Sequence, residues 1–322
     1  MFPTNDELTV CFAHIAYDFA ARYAARATAT KHFQAWSQAE FDARIGEADV
    51  VVVSGLWRND LIDYAPKLKF VQSISAGTDQ YAKDLFAEHG IRLASAAGVN
   101  ARAVSEHALS LILALSRRLG EARDNQGKRH WRGMIGDRTQ REDELGGKTM
   151  IVVGLGRIGG RLAQLGKALD MTVIGIRQNP ASGAGAADSV HPLDELKSLL
   201  PRADFVVLTC PLTPQTDGLI DADALARMKP SAFLVNVARG RCVDEAALVA
   251  ALSHGDIAGA GIDVTAAEPL PDDSPLWSIG SAFITPHTAG ETRRYEDTVL
   301  DILEDNLNRL WRGEADLRNQ VV

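Results

Sequence analysis

Short apolar runs alternate with stretches of helical periodicity along almost the whole chain, the pattern of a parallel sheet covered by helices. In the first hundred residues the predicted strands are LTVCFAH, ADVVVVSG, KFVQSIS and IRLASA. Three of them end in Gly, Ser or Ala turns, where a ligand could approach backbone. The segment NARAVSEHALSLILALSRRL, residues 100–119, then reads as one helix too apolar to lie on a surface, predicted to cross between domains. A second block follows, with strands TMIVVG, TVIGIR, DFVVLTC, AFLVNVA, GAGID and AFITP. The stretch NPASGAGAADS after the second of these is small and breaker-rich, a surface loop. The chain ends in an amphipathic helix over residues 291–312, placed to return to the first domain. The reading is α/β with two domains, residues 1–99 with 291–322 and residues 100–290.

Composition narrows the function. The chain has 322 residues, 46% hydrophobic and 24% charged, with a net charge of −8. That acid excess is diffuse, which argues against nucleic-acid binding. The basic cluster GKRHWRG is followed closely by Asp137, Glu142, Asp143 and Glu144, so it reads as a solvated face. The N-terminus lacks the form of a signal peptide, and no uncharged run is long enough to span a membrane. A cytoplasmic protein without membrane contact is expected. Cys11, Cys210 and Cys242 are widely spaced and form no metal-ligand pair, so buried reduced thiols and no metal are expected.

The strongest local signal is GLGRIGG, residues 154–160. It follows the apolar strand KTMIVV and opens a helical pattern, the context in which G-x-G-x-x-G binds a dinucleotide. Gly154 permits the tight turn, Gly156 lets backbone approach a pyrophosphate, and Gly159 lets helix pack on strand. Arg157 and Ile158 form the exposed middle of the loop, with N–H groups that could face phosphate. The next strand would end in an acid if the site held the ribose hydroxyls of NAD. It ends in Arg177 instead, followed by Gln178 and Asn179. Arginine removes the repulsion of a 2′-phosphate and offers it a charged fork. NADP is the expected cofactor, with NAD possible.

Three further stretches each place polar residues after a strand: LVNVARGRCVDEAAL, GIDVTAAEPLPDDSPLW and ITPHTAGETRRYED. In a doubly wound sheet such strand ends line the ligand crevice, so Arg239, Asp263, Glu268 and His287 could converge. Arginine suits a carboxylate, histidine passes a proton near neutrality, and a carboxylate beside it favours imidazolium. Each has a structural alternative. Arg239 could pair with Asp244, Glu268 could cap a turn, and His287 could be a satisfied loop histidine.

The sequence resembles the D-isomer-specific 2-hydroxyacid dehydrogenases. The motifs GLGRIG, CPLTPQT, NVARGRCVDEAAL, AGAGIDV…EPLP and TPHTAG carry the likeness, with SISAGTDQY and GVNARAVSEHALSLILAL adding to it. The resemblance implies a Rossmann-like cofactor domain inserted in a flavodoxin-like substrate domain that the C-terminal helix closes. It implies a catalytic set of Arg239, Glu268 and His287, with Arg239 and His287 touching substrate. Cofactor contacts would come from Gly156, Arg157, Ile158, Cys210, Pro211, Thr216, Val237 and Asp263, the last holding the nicotinamide carboxamide. The turn Ser75, Ala76, Gly77 would bind the substrate carboxylate. Leu56, Trp57 and Trp131 could line an apolar side-chain pocket, Trp131 being equally placed for core or a subunit contact. The reaction implied is reduction of a 2-oxo acid to a D-2-hydroxy acid by NAD(P)H. Family members are usually dimers, and the helix over 100–119 is apolar enough to serve a homodimer interface.

Within that family Glu268 argues against the formate dehydrogenases, which pair their histidine with glutamine. No appended regulatory domain of the phosphoglycerate dehydrogenase kind is legible, although an enzyme like those is an alternative. Glyoxylate and hydroxypyruvate reductases fit, as do reductases of bulkier 2-oxo acids. A nucleotide-sensing corepressor is the alternative from another class. The triad does not exclude it, but the absence of a basic face and of long disordered flanks disfavours it.

Overall fold

Four adjacent valines cannot all face one core, and the fold divides them between two. The computed structural model describes residues 2–322 and has two compact units: residues up to Asn100 with Thr292–Val322, and Ala101–Glu291. In the first unit β1 (Thr9–Ala13), β2 (Lys31–Ala35), β3 (Val50–Val53), β4 (Phe70–Ser73) and β5 (Arg92–Ala94) form a parallel sheet ordered β2-β1-β3-β4-β5. Successive side chains point to opposite faces. Val51, Val53 and Val71 therefore pack with Phe41 and Phe86 on one side. Val50, Val52 and Phe70 pack with Phe19, Tyr23 and Leu303 on the other. A sheet covered on both faces needs such continuous apolar strands.

The strand β2 is absent from the sequence reading. It is an edge strand paired only to β1, and its residues KHFQA are mostly half-buried or exposed, so it lacks the apolar run that betrays its neighbours. The C-terminal helix is Tyr295–Trp311, starting later than residue 291. It is fixed to the sheet by buried Asn306, whose Nδ2 donates to Gln72 Oε1 at 3.0 Å.

The second unit holds β6 (Thr149–Val153), β7 (Thr172–Ile176), β8 (Ser189–His191), β9 (Phe205–Leu208), β10 (Phe233–Asn236), β11 (Gly259–Ile262) and β12 (Ala282–Ile284). All neighbours are parallel, in the order β12-β11-β10-β9-β6-β7-β8. The chain winds from β6 through β7 to β8 in one direction and from β9 to β12 in the other. The reversal between β6 and β9 leaves a crevice at their C-terminal ends, the place where doubly wound sheets bind ligands. β8 was not legible either, being three half-buried residues at an edge.

The helix expected over 100–119 is Ala101–Ser116. Arg118 breaks it with a left-handed φ of 51°, and a separate polar helix, Leu119–Gly127, follows. Its apolar stripe of Val104, Ala108, Leu111 and Ile112 is buried within the second unit. The close approach needs Gly261, where a Cβ would come within 3.0 Å of Leu111 Cβ. That stripe is therefore spent inside the chain, while Leu109, Leu113 and Leu115 of the same helix stay half-buried. Trp131 is 95% exposed, which excludes a core role. Among the described residues, no helix is long and apolar enough to cross a membrane, and no cluster of His, Cys, Asp and Glu could hold a metal ion.

Candidate active site

The glycine loop joins β6 to the helix Arg157–Ala168. Gly154 has a φ of 100°, and a Cβ there would come within 2.8 Å of the Cys210 Cα. Glycine thus seats the loop against the end of β9. At Gly159 a Cβ would fall on the Gly154 carbonyl and within 2.6 Å of Thr209 Oγ1, so only glycine lets the helix close on the strand. Gly156, by contrast, faces open space and is the N-cap, with no side chain bonded to the helix amides behind it. Those amides and the open face fit a dinucleotide pyrophosphate. Cys210 and Val237 are buried near this end of the sheet. Thr216 is buried with its hydroxyl committed, donating to the Pro211 carbonyl at 2.7 Å and accepting from Thr213 N at 2.7 Å. It therefore shapes the turn that begins at Pro211.

At the end of β7, half-buried Arg177 donates from Nη1 to the Gly183 carbonyl at 2.9 Å, which draws the 179–183 loop beneath the guanidinium. Gln178 beside it is exposed. Among the described residues no carboxylate pairs with Arg177. Asp188 is occupied at the other end of the strand, accepting from Val173 N at 2.7 Å and from Lys167 Nζ at 2.7 Å. The strand end that would carry a ribose-binding acid carries a cation.

Arg239, Glu268 and His287 stand after β10, β11 and β12, at one end of the sheet. The Arg239 loop abuts the Glu268 loop because residue 240 is glycine; a Cβ there would overlap the Thr265 carbonyl. Thr265 N in turn donates to Glu268 Oε1 at 3.1 Å. The second oxygen, Oε2, lies 2.6 Å from His287 Nδ1. An ionised carboxylate only accepts, so Nδ1 carries the hydrogen and Nε2 is left for other partners. Arg239 is half-buried, makes no ion pair among the described residues, and spends Nη1 on the Ala238 carbonyl at 2.7 Å. Asp244, the alternative partner for Arg239, instead caps the helix Glu245–His254. The chemistry available is a carboxylate anchor beside a proton carrier held by an acid.

Asp263 was expected at the nicotinamide carboxamide. The structure shows it 2% exposed and bonded to the loop that carries His287. Oδ1 accepts from Thr285 Oγ1 at 2.6 Å and from Thr288 N at 3.0 Å, and Oδ2 from Ala289 N at 3.1 Å. Its own carbonyl accepts from His287 N at 2.8 Å.

In the first unit, the turn after β4 holds Ser75, Ala76 and Gly77. Ser75 N donates to Ser73 Oγ at 3.1 Å and is spent. The amides of Ala76 and Gly77 meet no acceptor among the described residues. Ser75 Oγ lies 2.6 Å from Ser54 Oγ.

The model of the D-isomer specific 2-hydroxyacid dehydrogenase, NAD binding domain, matches residues 109–289. The chain is 33% identical over 308 residues to a glyoxylate/hydroxypyruvate reductase B of Pectobacterium carotovorum, covering 95% of each chain. It belongs to the D-isomer specific 2-hydroxyacid dehydrogenase family. It is also 39% identical over 274 residues to a D-3-phosphoglycerate dehydrogenase of Mycobacterium bovis, covering 84% of this chain and 51% of that one. The chain thus spans about half the length of the phosphoglycerate dehydrogenases it matches. Among solved structures, an NADPH-dependent glyoxylate/hydroxypyruvate reductase from Sinorhizobium meliloti superposes with a TM-score of 0.83 at 26% identity, covering 98% of both chains.

For this 2-hydroxyacid dehydrogenase family member, one pocket expectation is corrected. Trp57 is buried at 6% exposure, with its ring against Tyr81 and Phe86, and Nε1 donates to Asn59 Oδ1 at 3.1 Å. It is core of the first unit because the chain turns inward directly after β3; Leu56 beside it is half-buried. The sequence reading also missed Gly240, Thr285 and His107. Gly240 and Thr285 stood within the quoted motifs, but what they touch depends on tertiary contacts. His107 had a legible signal, a lone imidazole on the apolar stripe of a helix. All three cysteines are buried and free. Burial pushes the Cys11 thiol up to about 12. Cys210 shares a hydrogen bond with Cys242 that holds Cys210 protonated and draws Cys242 below the ordinary thiol range.

Proposed function

We propose that this protein reduces a 2-oxo acid to a D-2-hydroxy acid, with NADPH preferred over NADH. The observation that carries the reading is the 2.6 Å contact between His287 Nδ1 and Glu268 Oε2, which leaves Nε2 unspent on the sheet end that also holds unpaired Arg239. A bound nicotinamide would supply the hydride. Arg239 takes the substrate carboxylate and polarises the neighbouring carbonyl. His287 gives the proton on Nε2 to the carbonyl oxygen and retains the one on Nδ1, which Glu268 holds throughout.

The second unit is the proposed cofactor domain, with Gly154, Gly156, Arg157, Ile158 and Gly159 around the phosphates. Arg177, with Gln178, is proposed to take a 2′-phosphate, and the NADPH dependence of the Sinorhizobium relative supports that choice. The first unit is the proposed substrate domain. Its Ala76 and Gly77 amides suit a carboxylate oxygen, and Ser75 adds a hydroxyl rather than an amide.

The test is turnover of glyoxylate, hydroxypyruvate, pyruvate, phenylpyruvate, branched 2-oxo acids and phosphohydroxypyruvate with each reduced nucleotide. Preference for the phosphorylated acid would favour a phosphoglycerate dehydrogenase-like enzyme. Nucleotide binding without any turnover would favour the corepressor-like alternative. We further propose a homodimer, built on the segment bearing Trp131 and Met134, both essentially fully exposed. A sedimenting monomer at micromolar concentration would remove it.

A further inference from the structure

We infer that His107 is a positioning residue for the proton donor, acting through Thr285 and Asp263; the inference rests on the role proposed for His287. His107 lies on the helix Ala101–Ser116, on the stripe that buries Val104, Ala108 and Leu111. Its Nε2 is 2.9 Å from Thr285 Oγ1. The Thr285 hydroxyl has one proton and donates it to Asp263 Oδ1 at 2.6 Å. The histidine must then be the donor in the other bond, so its Nε2 carries hydrogen. A chain of donors runs from His107 through Thr285 to the Asp263 carboxylate, and each bond polarises the next. The same Nε2 is 3.5 Å from Asp263 Oδ1, so the imidazole also faces the carboxylate directly.

What this chain holds is unfavourable backbone. His287 has a φ of 54°, in the left-handed region that residues with a Cβ seldom occupy. Such a conformation persists only where its surroundings over-determine it. Here Asp263 supplies most of that constraint, binding Thr285, Thr288 and Ala289 through its carboxylate and His287 N through its carbonyl. His107 reaches this knot from a helix, outside both loops. It ties the loop's register to an element packed against the sheet, where the loop alone would have only its own turns.

A simpler reading makes His107 a core histidine whose hydrogen bond has no bearing on chemistry. The two differ in kinetics. His107→Leu removes the donor, and a slight misplacement of the imidazole should lower kcat by about tenfold while nucleotide affinity stays unchanged. His107→Gln, which can present an amide N–H to Thr285, should recover most of that loss. Thr285→Val removes the bridge at similar volume and should cost as much as His107→Leu, and the double variant no more than either, because both act through one chain. Unchanged kcat in His107→Leu, or losses that add in the double variant, would overturn the inference.

A second readout needs no turnover. In protein labelled with ¹⁵N-histidine, His107 should show hydrogen on Nε2, and the His287 imidazole signals should move in His107→Leu. A His107 protonated only on Nδ1, or His287 signals that stay fixed, would overturn it even if a variant folds poorly. If the parent enzyme reduces no 2-oxo acid, the proposed function fails, and these signals still decide whether His107 positions His287.

Discussion

Glu268 Oε2 and His287 Nδ1 lie 2.6 Å apart, although 18 residues separate the two in the chain (287 − 268 − 1 = 18). The acid is anchored from behind, because its other oxygen accepts from Thr265 N. The histidine is anchored through its backbone to Asp263. The acid cannot drift without breaking a second bond, and the backbone that carries the imidazole is fixed, which gives the pair a defined job: keeping one ring nitrogen occupied and the other available.

Replacing Glu268 by Gln keeps the shape and removes the charge. The charge-assisted bond to His287 Nδ1 becomes one between neutral partners, roughly half as strong. kcat for reduction of a 2-oxo acid should fall by about tenfold while nucleotide affinity stays nearly unchanged, the scale of one weakened charge-assisted bond. An unchanged kcat in Glu268→Gln would show that the charge of Glu268 does not act on the donor.

Arg239 makes no ion pair among the described residues, so its fork is uncommitted to any acid. Arg239→Lys keeps the charge and loses the planar pair of donors. The expected cost is about 1.5–3 kcal/mol, tenfold or more in kcat/KM. Comparison of a 2-oxo acid with its amide checks the anchor, since equal turnover of both would mean that no carboxylate is being held.

Arg177 is the proposed reader of the nucleotide. Arg177→Asp should lower the ratio of catalytic efficiency with NADPH over NADH by about tenfold or more, through loss of a charged hydrogen bond and added repulsion. Steady-state kinetics with both nucleotides decide this. A parent enzyme equally efficient with both would show that the arginine does not select.

Much of the fold could be read from the chain because its central strands are buried on both faces. TMIVV and VVVV announce themselves for that reason, whereas KHFQA and SVH are edge strands whose half-polar residues carry no such mark. The site divides along a similar line. The three residues proposed to carry the chemistry stand in distinctive motifs after strands. What supports them is not written locally: Gly240 touches Thr265, and His107 touches a threonine 178 residues away. Trp57 misled for the converse reason. A strand end looks like a pocket rim until the turn after it is known, and here the turn folds the indole onto Tyr81 and Phe86.

The proposed reduction of 2-oxo acids with His287 as the proton donor stands or falls on NADPH oxidation against the 2-oxo acid panel, in the parent and in His287→Asn, with nucleotide affinity measured alongside. The parent should turn over at least one acid. In the variant the rate should fall by about 10²–10⁴-fold, the usual contribution of a general acid, with nucleotide binding nearly unchanged. A parent that oxidises NADPH with none of these acids, or a variant that retains its rate, would contradict it.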